Sequence, residues 1–208
     1  MESSFKRAAE DIVDAGRRLD ALGFAPATSG NYSVRLLNDE VAITVSGWHK
    51  GFLKSESIMR VGMDGQALDE QKPSAETLLH TSLYKKFPQV GAVLHTHSVP
   101  CVVLTRLMAG SDQLLLEGYE LLKAFPGIDT HNVEMSLPIF DNTQDIMTLS
   151  RQVDMVLENK QNVSVYLIRG HGLYAWGRDM AEALRVVEAA EAMLACEVQI
   201  RQIKGEKI

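Results

Sequence analysis

Three histidines have the residue type and spacing to hold a metal ion: His95 and His97, two positions apart, and His171 far downstream. The pair stands in Leu94-His95-Thr96-His97-Ser98, behind the apolar run Val90-Gly91-Ala92-Val93-Leu94. That run is short and β-branched enough to be a buried strand. Residues two apart on a strand face one side, so His95 and His97 point together and Thr96 points away. Two imidazoles so placed offer two positions to a first-row metal ion, and they equally suit a hydrogen-bonded pair near a surface. A third ligand decides between these readings. His171 is flanked by Gly170 and Gly172 at the end of another apolar run, Val163-Ser164-Val165-Tyr166-Leu167-Ile168. Glycine there permits a tight turn and close approach of a ligand. Three His ligands with an open position describe a catalytic rather than a structural site. Such an ion keeps its charge available to an incoming oxygen and acts as a Lewis acid. His49, His80 and His131 show no such pattern. His80 reads as a helix-face residue and His131 as a loop residue.

The elements that position these groups follow from periodicity. Residues 2–22 carry the helical stripe Phe5, Ala8, Ala9, Ile12, Val13, Ala15, Leu19, Leu22, and Gly23 is a natural stop. A small-residue loop, Phe24 to Asn31, leads to a strand over 32–36, a turn at Asn38-Asp39 and a returning strand over 41–45. The following loop, Ser46-Gly47-Trp48-His49-Lys50-Gly51, has glycines, a hydroxyl and an ammonium. That set suits a phosphate, and it also suits an ordinary turn with a solvated Lys50. A short hairpin about Asp64-Gly65 comes next. Lys72-Pro73-Ser74-Ala75-Glu76 opens a helix, and Glu76 falls in its first turn, where a carboxylate is favoured. Residues 101–108 read as helical. The stretch 114–123 is ambiguous; Glu120 inside it is either a surface position on an amphipathic helix or a carboxylate among apolar neighbours. The second setting tends to raise a carboxyl pKa, which a general acid or base uses. A strand over 133–140 contains Pro138, implying an edge or an irregularity. Asn142-Thr143 is read as the cap of a helix running to Asn159. Strands over 163–168 and 173–177 and a long helix from Asp179 to about Lys204 complete the chain.

The 208 residues, 46% hydrophobic and 23% charged, fit one globular domain. A formal charge of −6 argues against a general nucleic-acid surface. No apolar run approaches membrane-spanning length, and the first residues lack a signal-peptide core, so neither nucleic acid nor membrane is expected as a partner and the cytoplasm is the expected location. Cys101 and Cys196 both stand among apolar residues and read as reduced, structural thiols.

Five segments in register resemble the class II aldolase/adducin family: Thr28-Ser29-Gly30-Asn31, Ser46-Gly47, Pro73-Ser74-Ala75-Glu76, His95-Thr96-His97 and Gly170-His171-Gly172. Their order and spacing match over nearly the whole chain. The resemblance is closest to the dehydratase branch, carried by Gly118-Tyr119-Glu120-Leu121-Leu122-Lys123 and His171-Gly172-Leu173-Tyr174-Ala175-Trp176-Gly177. It implies a three-layer α/β/α sandwich around a mostly antiparallel sheet, and a homotetramer with sites near subunit interfaces. It implies one Zn²⁺ per subunit on His95, His97 and His171, and a small phosphorylated sugar as substrate. It implies a phosphate pocket from Ser29, Gly30, Asn31, Ser46, Gly47 and Ser74, to which Lys50 is added here on charge alone. Sugar-phosphate aldolases of the family have a second serine where this chain has Ala75, which weakens an aldolase reading. The aldolase-type acid/base glutamate matches Glu76 and the dehydratase-type one matches Glu120. Glu120 is preferred, with Glu76 as the second candidate. The alternatives are a sugar-phosphate aldolase or 4-epimerase, and a non-catalytic adducin-like interaction module.

Overall fold

A computed structural model describes residues 2–158, 160 and 163–205. Helix α1 spans Glu2–Ala21, and its stripe from Ala8 to Leu19 is buried as the periodicity requires. Strands β1 (Asn31–Arg35), β2 (Glu40–Thr44) and β3 (Ile58–Gly62) follow. Helix α2 (Thr77–Lys86), strand β4 (Ala92–Thr96), helix α3 (Val99–Leu107) and strand β5 (Gln113–Glu117) come next. The chain ends with β6 (Glu134–Phe140), α4 (Ile146–Glu158), β7 (Val165–Ile168), β8 (Gly172–Gly177) and α5 (Met180–Lys204). The expected end of α4 at Asn159 lies outside the described residues. Among the described residues, no helix is long and apolar enough to cross a membrane.

The strands form one sheet in the order β3-β2-β1-β4-β8-β7-β6-β5. Every neighbouring pair is antiparallel except β6–β7, which is parallel. Helices α1, α3 and α5 pack on one face, against Tyr32, Leu94, Leu173 and Ala175. Helices α2 and α4 pack on the other, against Val93, Tyr166, Tyr174 and Trp176. Alternate residues of β8 therefore enter different cores, as a strand buried on both faces demands. The result is the expected three-layer α/β/α sandwich.

Several local expectations are corrected. The stretch 114–123 is not an amphipathic helix. Its first part is strand β5, with Leu114 and Leu116 buried and Leu115 exposed, a period of two that the run of three leucines conceals. Glu120 then begins a short 3₁₀ turn over Glu120–Ala124. The helix after Asn142-Thr143 starts only at Ile146 and is capped by Asp145, whose carboxylate accepts from the Thr148 amide at 3.0 Å. Pro138 pairs with Gln113 on β5, and the parallel ladder to β7 takes in only Ile139 and Phe140. Proline is tolerated because β7 does not pair at that position. Cys101 is buried, as expected, but Cys196 is exposed on α5.

The pairing that matters most for the site is β4 on β8, with His95 opposite Tyr174 and Thr96 opposite Leu173. At its end a Cβ on Gly172 would lie 1.8 Å from the Thr96 carbonyl oxygen. Only glycine lets the strands close there. Gly172→Ala is expected to destabilise the fold by about 1–3 kcal/mol through this overlap. Thermal unfolding should show a midpoint about 3–10 °C lower; an unchanged midpoint would contradict the contact.

Candidate metal centre

His95, His97 and His171 converge, each offering one ring nitrogen, with the three nitrogens within 4.8 Å of one another. Each arrives from a different local device. His95 is the penultimate residue of β4 and fully buried. His97 lies one step past the strand, where its backbone amide donates to the Phe24 carbonyl at 2.8 Å. His171 stands on the β7–β8 turn, its amide donating to the Ile168 carbonyl at 3.1 Å.

The outer nitrogens fix the tautomers. His95 Nδ1 donates to the Leu173 carbonyl at 2.8 Å, and His171 Nδ1 donates to Asn142 Oδ1 at 3.2 Å. Both Nε2 lone pairs then face inward, 3.3 Å apart. Two lone pairs so close repel each other unless a cation lies between them. Nitrogens bound to a tetrahedral ion at ~2.0–2.1 Å are roughly 3.3–3.4 Å apart, so the His95–His171 pair has the spacing of two ligands on one such ion. Burial, then the neighbouring imidazoles, push His97 down to about 3, and burial pushes His95 well below the usual histidine range. Neutral imidazoles are the ligating form. The Tyr174 ring stacks on His95 at a centroid distance of 4.1 Å, and Tyr166 stacks on Tyr174 at 4.9 Å, so the His95 ring is held in plane from behind.

Glu76 joins the imidazoles. It is the residue before the first turn of α2, and its side chain does not cap the helix. Its Oε2 instead accepts from Asn31 Nδ2 at 2.8 Å and from the Tyr174 hydroxyl at 3.1 Å. Oε2 lies 3.3 Å from His95 Nε2, and Oε1 lies 3.2 Å from His171 Nε2. The expected capping role of Glu76 is thereby replaced by a position at the centre.

All seven residues expected for a phosphate pocket line one cavity of about 340 Å³ together with Glu76, His97 and His171: Ser29, Gly30, Asn31, Ser46, Gly47, Lys50 and Ser74. Gly30 is in the left-handed region at φ 79°, and a Cβ there would come within 2.7 Å of the His95 carbonyl. Lys50 is not a solvated lysine. Its ammonium is buried and donates to the Thr28 carbonyl at 2.9 Å and the Trp48 carbonyl at 2.6 Å, tying two of the loops together. Burial lowers it to about 8. Glu120 is placed elsewhere: it does not line this cavity, and its 71% exposed side chain pairs with Lys123 at 2.5 Å and His131 at 3.5 Å. The adjacent lysine holds its carboxyl below the usual range, so of the two settings the sequence allowed for Glu120 the structure shows the surface one, without the raised pKa of the other.

Two supporting residues were not singled out from the sequence. Asn142, read there as a helix cap, bonds His171. The parallel β6–β7 pair carries it to the same sheet end, a placement no local pattern encodes. Glu191, on α5, is buried and accepts from the Thr96 hydroxyl at 2.7 Å and from the Ser98 hydroxyl. It holds the β4–α3 turn from the face opposite to His95. Burial raises its carboxyl to about 7.

The pattern for a Class II Aldolase and Adducin N-terminal domain matches residues 10–200. The chain belongs to the class II aldolase/adducin family. Within that family it is 52% identical over 198 residues to a protein from Stenotrophomonas maltophilia named methylthioribulose-1-phosphate dehydratase, covering 95% of this chain and 92% of the relative. A protein of the same name from Methylococcus capsulatus is 47% identical over 203 residues, covering 98% of each chain. The solved L-fuculose-1-phosphate aldolase of Thermus thermophilus superposes with a TM-score of 0.76 at 22% identity over the full length of both chains, a likeness of fold.

His95→Ala and His171→Ala should each abolish the near-stoichiometric binding of a divalent ion expected of the native chain, as read by metal analysis after dialysis. Asn142→Ala should weaken that binding by about 10–100-fold while leaving the ligands in place. The raised Glu191 carboxyl predicts a pH effect on stability. Between the ordinary value of 4.5 and about 7, the folded chain holds a proton that the unfolded chain has released. Stability from this group therefore falls as pH rises through that window. Relative to Glu191→Gln, the native chain's unfolding free energy should drop from pH 4.5 to 7 and level off above; parallel curves would refute the burial of a protonated carboxyl.

Proposed function

We propose that the chain is a zinc-dependent dehydratase converting 5-methylthioribulose 1-phosphate to 2,3-diketo-5-methylthiopentyl 1-phosphate, a cytoplasmic step of methionine salvage. The observation that carries the reading is identity of about half the residues, over nearly the full length, to relatives of that name. The three-His centre and the adjoining polar cavity supply a chemistry to match.

The cavity divides the work along the substrate. The loops at Ser29–Asn31, Ser46-Gly47 and Ser74 take the phosphate through backbone amides and hydroxyls, with Lys50 adding positive charge beneath them. Holding the phosphate there fixes the sugar carbons relative to the imidazoles, which converts binding into orientation. His95, His97 and His171 would hold a zinc ion, which would supply Lewis acidity toward substrate oxygens and so favour release of the C3 proton. Loss of water then needs two proton transfers: one away from C3, and one onto the departing C4 hydroxyl. The resulting enol tautomerises to the 2,3-diketone.

Two carboxylates are assigned to these transfers. Glu76 stands beside the imidazoles of its own chain. Glu120, exposed and outside that cavity, is assigned to the site of a second copy within the expected homotetramer. Glu76→Gln and Glu120→Gln are each expected to lower kcat by about 10²–10⁴-fold with zinc retained. Co-expressing the two variants should restore part of the activity, because some cavities then receive both native carboxylates. A fully active Glu120→Gln protein would remove Glu120 from the reaction. Inactive mixed assemblies would place both carboxylates in one chain. Product analysis tests the reaction itself: dehydration keeps one carbon skeleton, whereas aldol cleavage gives two fragments.

A further inference from the structure

A row of buried polar groups leads away from the cavity into the core, and the proposed chemistry does not use it. Helix α2 lies across β1. Four helical residues advance about 6 Å, and two strand residues advance about 6.6 Å. Groups four apart on α2 can therefore mesh with groups two apart on β1. Glu76, His80 and Tyr84 are spaced by four, and Asn31 and Ser33 are spaced by two on the strand face turned to α2. The contacts interleave. Asn31 Nδ2 donates to Glu76 at 2.8 Å, Asn31 Oδ1 meets His80 Nε2, and Ser33 Oγ lies 2.7 Å from His80 Nδ1 and 2.8 Å from the Tyr84 hydroxyl. Asn31, Ser33, His80 and Tyr84 are all buried.

The sense of every bond follows from one end. A carboxylate only accepts, so Asn31 must turn its NH₂ to Glu76 and its oxygen to His80. His80 then donates from Nε2 and accepts at Nδ1. Ser33 donates to that nitrogen and accepts from Tyr84. A carboxamide does not hand a proton along such a row, so the row orients groups and does not conduct protons. Burying this many polar groups is costly unless each is satisfied, and an apolar stripe would pack the helix as well. The arrangement instead fixes which end of Asn31 faces the cavity.

We infer that His80 is a positioning residue for the reaction, its Nε2–H locking the Asn31 carboxamide so that the amide NH₂ holds Glu76 against His95 and His171. This rests on the functional reading above for its kinetic consequence, but not for its geometry. Without His80's donor, Asn31 loses one of the two bonds that fix its carboxamide, and its NH₂ holds Glu76 less firmly in place.

Long-range ¹H–¹⁵N spectra of the native chain, labelled at histidine, test the geometry directly. The expected result is the Nε2–H tautomer for His80; an Nδ1–H tautomer overturns the inference. Two substitutions test the consequence. The glutamine amide of His80→Gln reaches the place of Nε2, whereas the asparagine amide of His80→Asn reaches only the place of Nδ1. His80→Gln should keep kcat within about threefold of native. His80→Asn should lose about 10–100-fold in kcat, with KM and bound metal unchanged. Equal losses in both variants, tracking their melting temperatures, would reduce His80 to a packing residue and overturn the proposal. A native chain with the Nε2–H tautomer but no turnover of the ketose phosphate would instead refute the substrate assignment and support the lock.

Discussion

The antiparallel ladder between β4 and β8 is the constraint on which the centre depends. Its register sets His95 opposite Tyr174 and Thr96 opposite Leu173. The pleat then sends His95 toward the α2/α4 layer, where Tyr174 stacks on it, and Thr96 toward α5, where Glu191 receives its hydroxyl. A slip of one residue would exchange these faces and put an imidazole where the carboxylate lies. The same ladder ends in the turn that carries His171, so two imidazoles share one hydrogen-bonded frame. Gly172 lets that frame close without an intervening side chain.

Electrostatics complement this geometry. Both inward Nε2 atoms lack protons because their ring partners are acceptors, the Leu173 carbonyl and Asn142. The Glu76 carboxylate, aimed at the same spot, adds negative charge to a region already rich in lone pairs. A cation is the natural complement of such a cluster. Lys50, held by two carbonyls, places a positive charge under the loops of the same cavity. The cavity thus has groups suited to an anion beside groups suited to a cation.

Much of this was legible in the chain itself. The His-x-His step works because strand geometry is local, and Gly-His-Gly because turn chemistry is local. The alternating cores were readable wherever branched residues or helical stripes gave a clean period. Legibility failed where the deciding contact was distant. Leu114-Leu115-Leu116 has no visible alternation, because the exposed Leu115 is as apolar as its buried neighbours. Asn142 looked like a helix cap because that role needs only sequence neighbours, whereas its bond to His171 needs the β6–β7 pairing. Glu76 looked like a first-turn carboxylate for the same reason. Lys50 was chosen for its charge, and the carbonyls that hold it come from the loops at Thr28 and Trp48. Cys196 was judged by its apolar neighbours in sequence, yet it lies on an exposed side of α5.

Glu191 bears on the order in which the molecule becomes competent. The imidazoles at 95 and 97 leave the ribosome long before the helix that braces the turn between them and α3. Until α5 has emerged and docked, Thr96 and Ser98 lack their buried acceptor, and the strand end is free to fray. The nascent chain thus carries two of its three imidazoles early, and the third only shortly before the helix that braces the strand end. Stable capture of an ion thereby depends on the docking of α5 against the β4–α3 turn as well as on the imidazoles themselves.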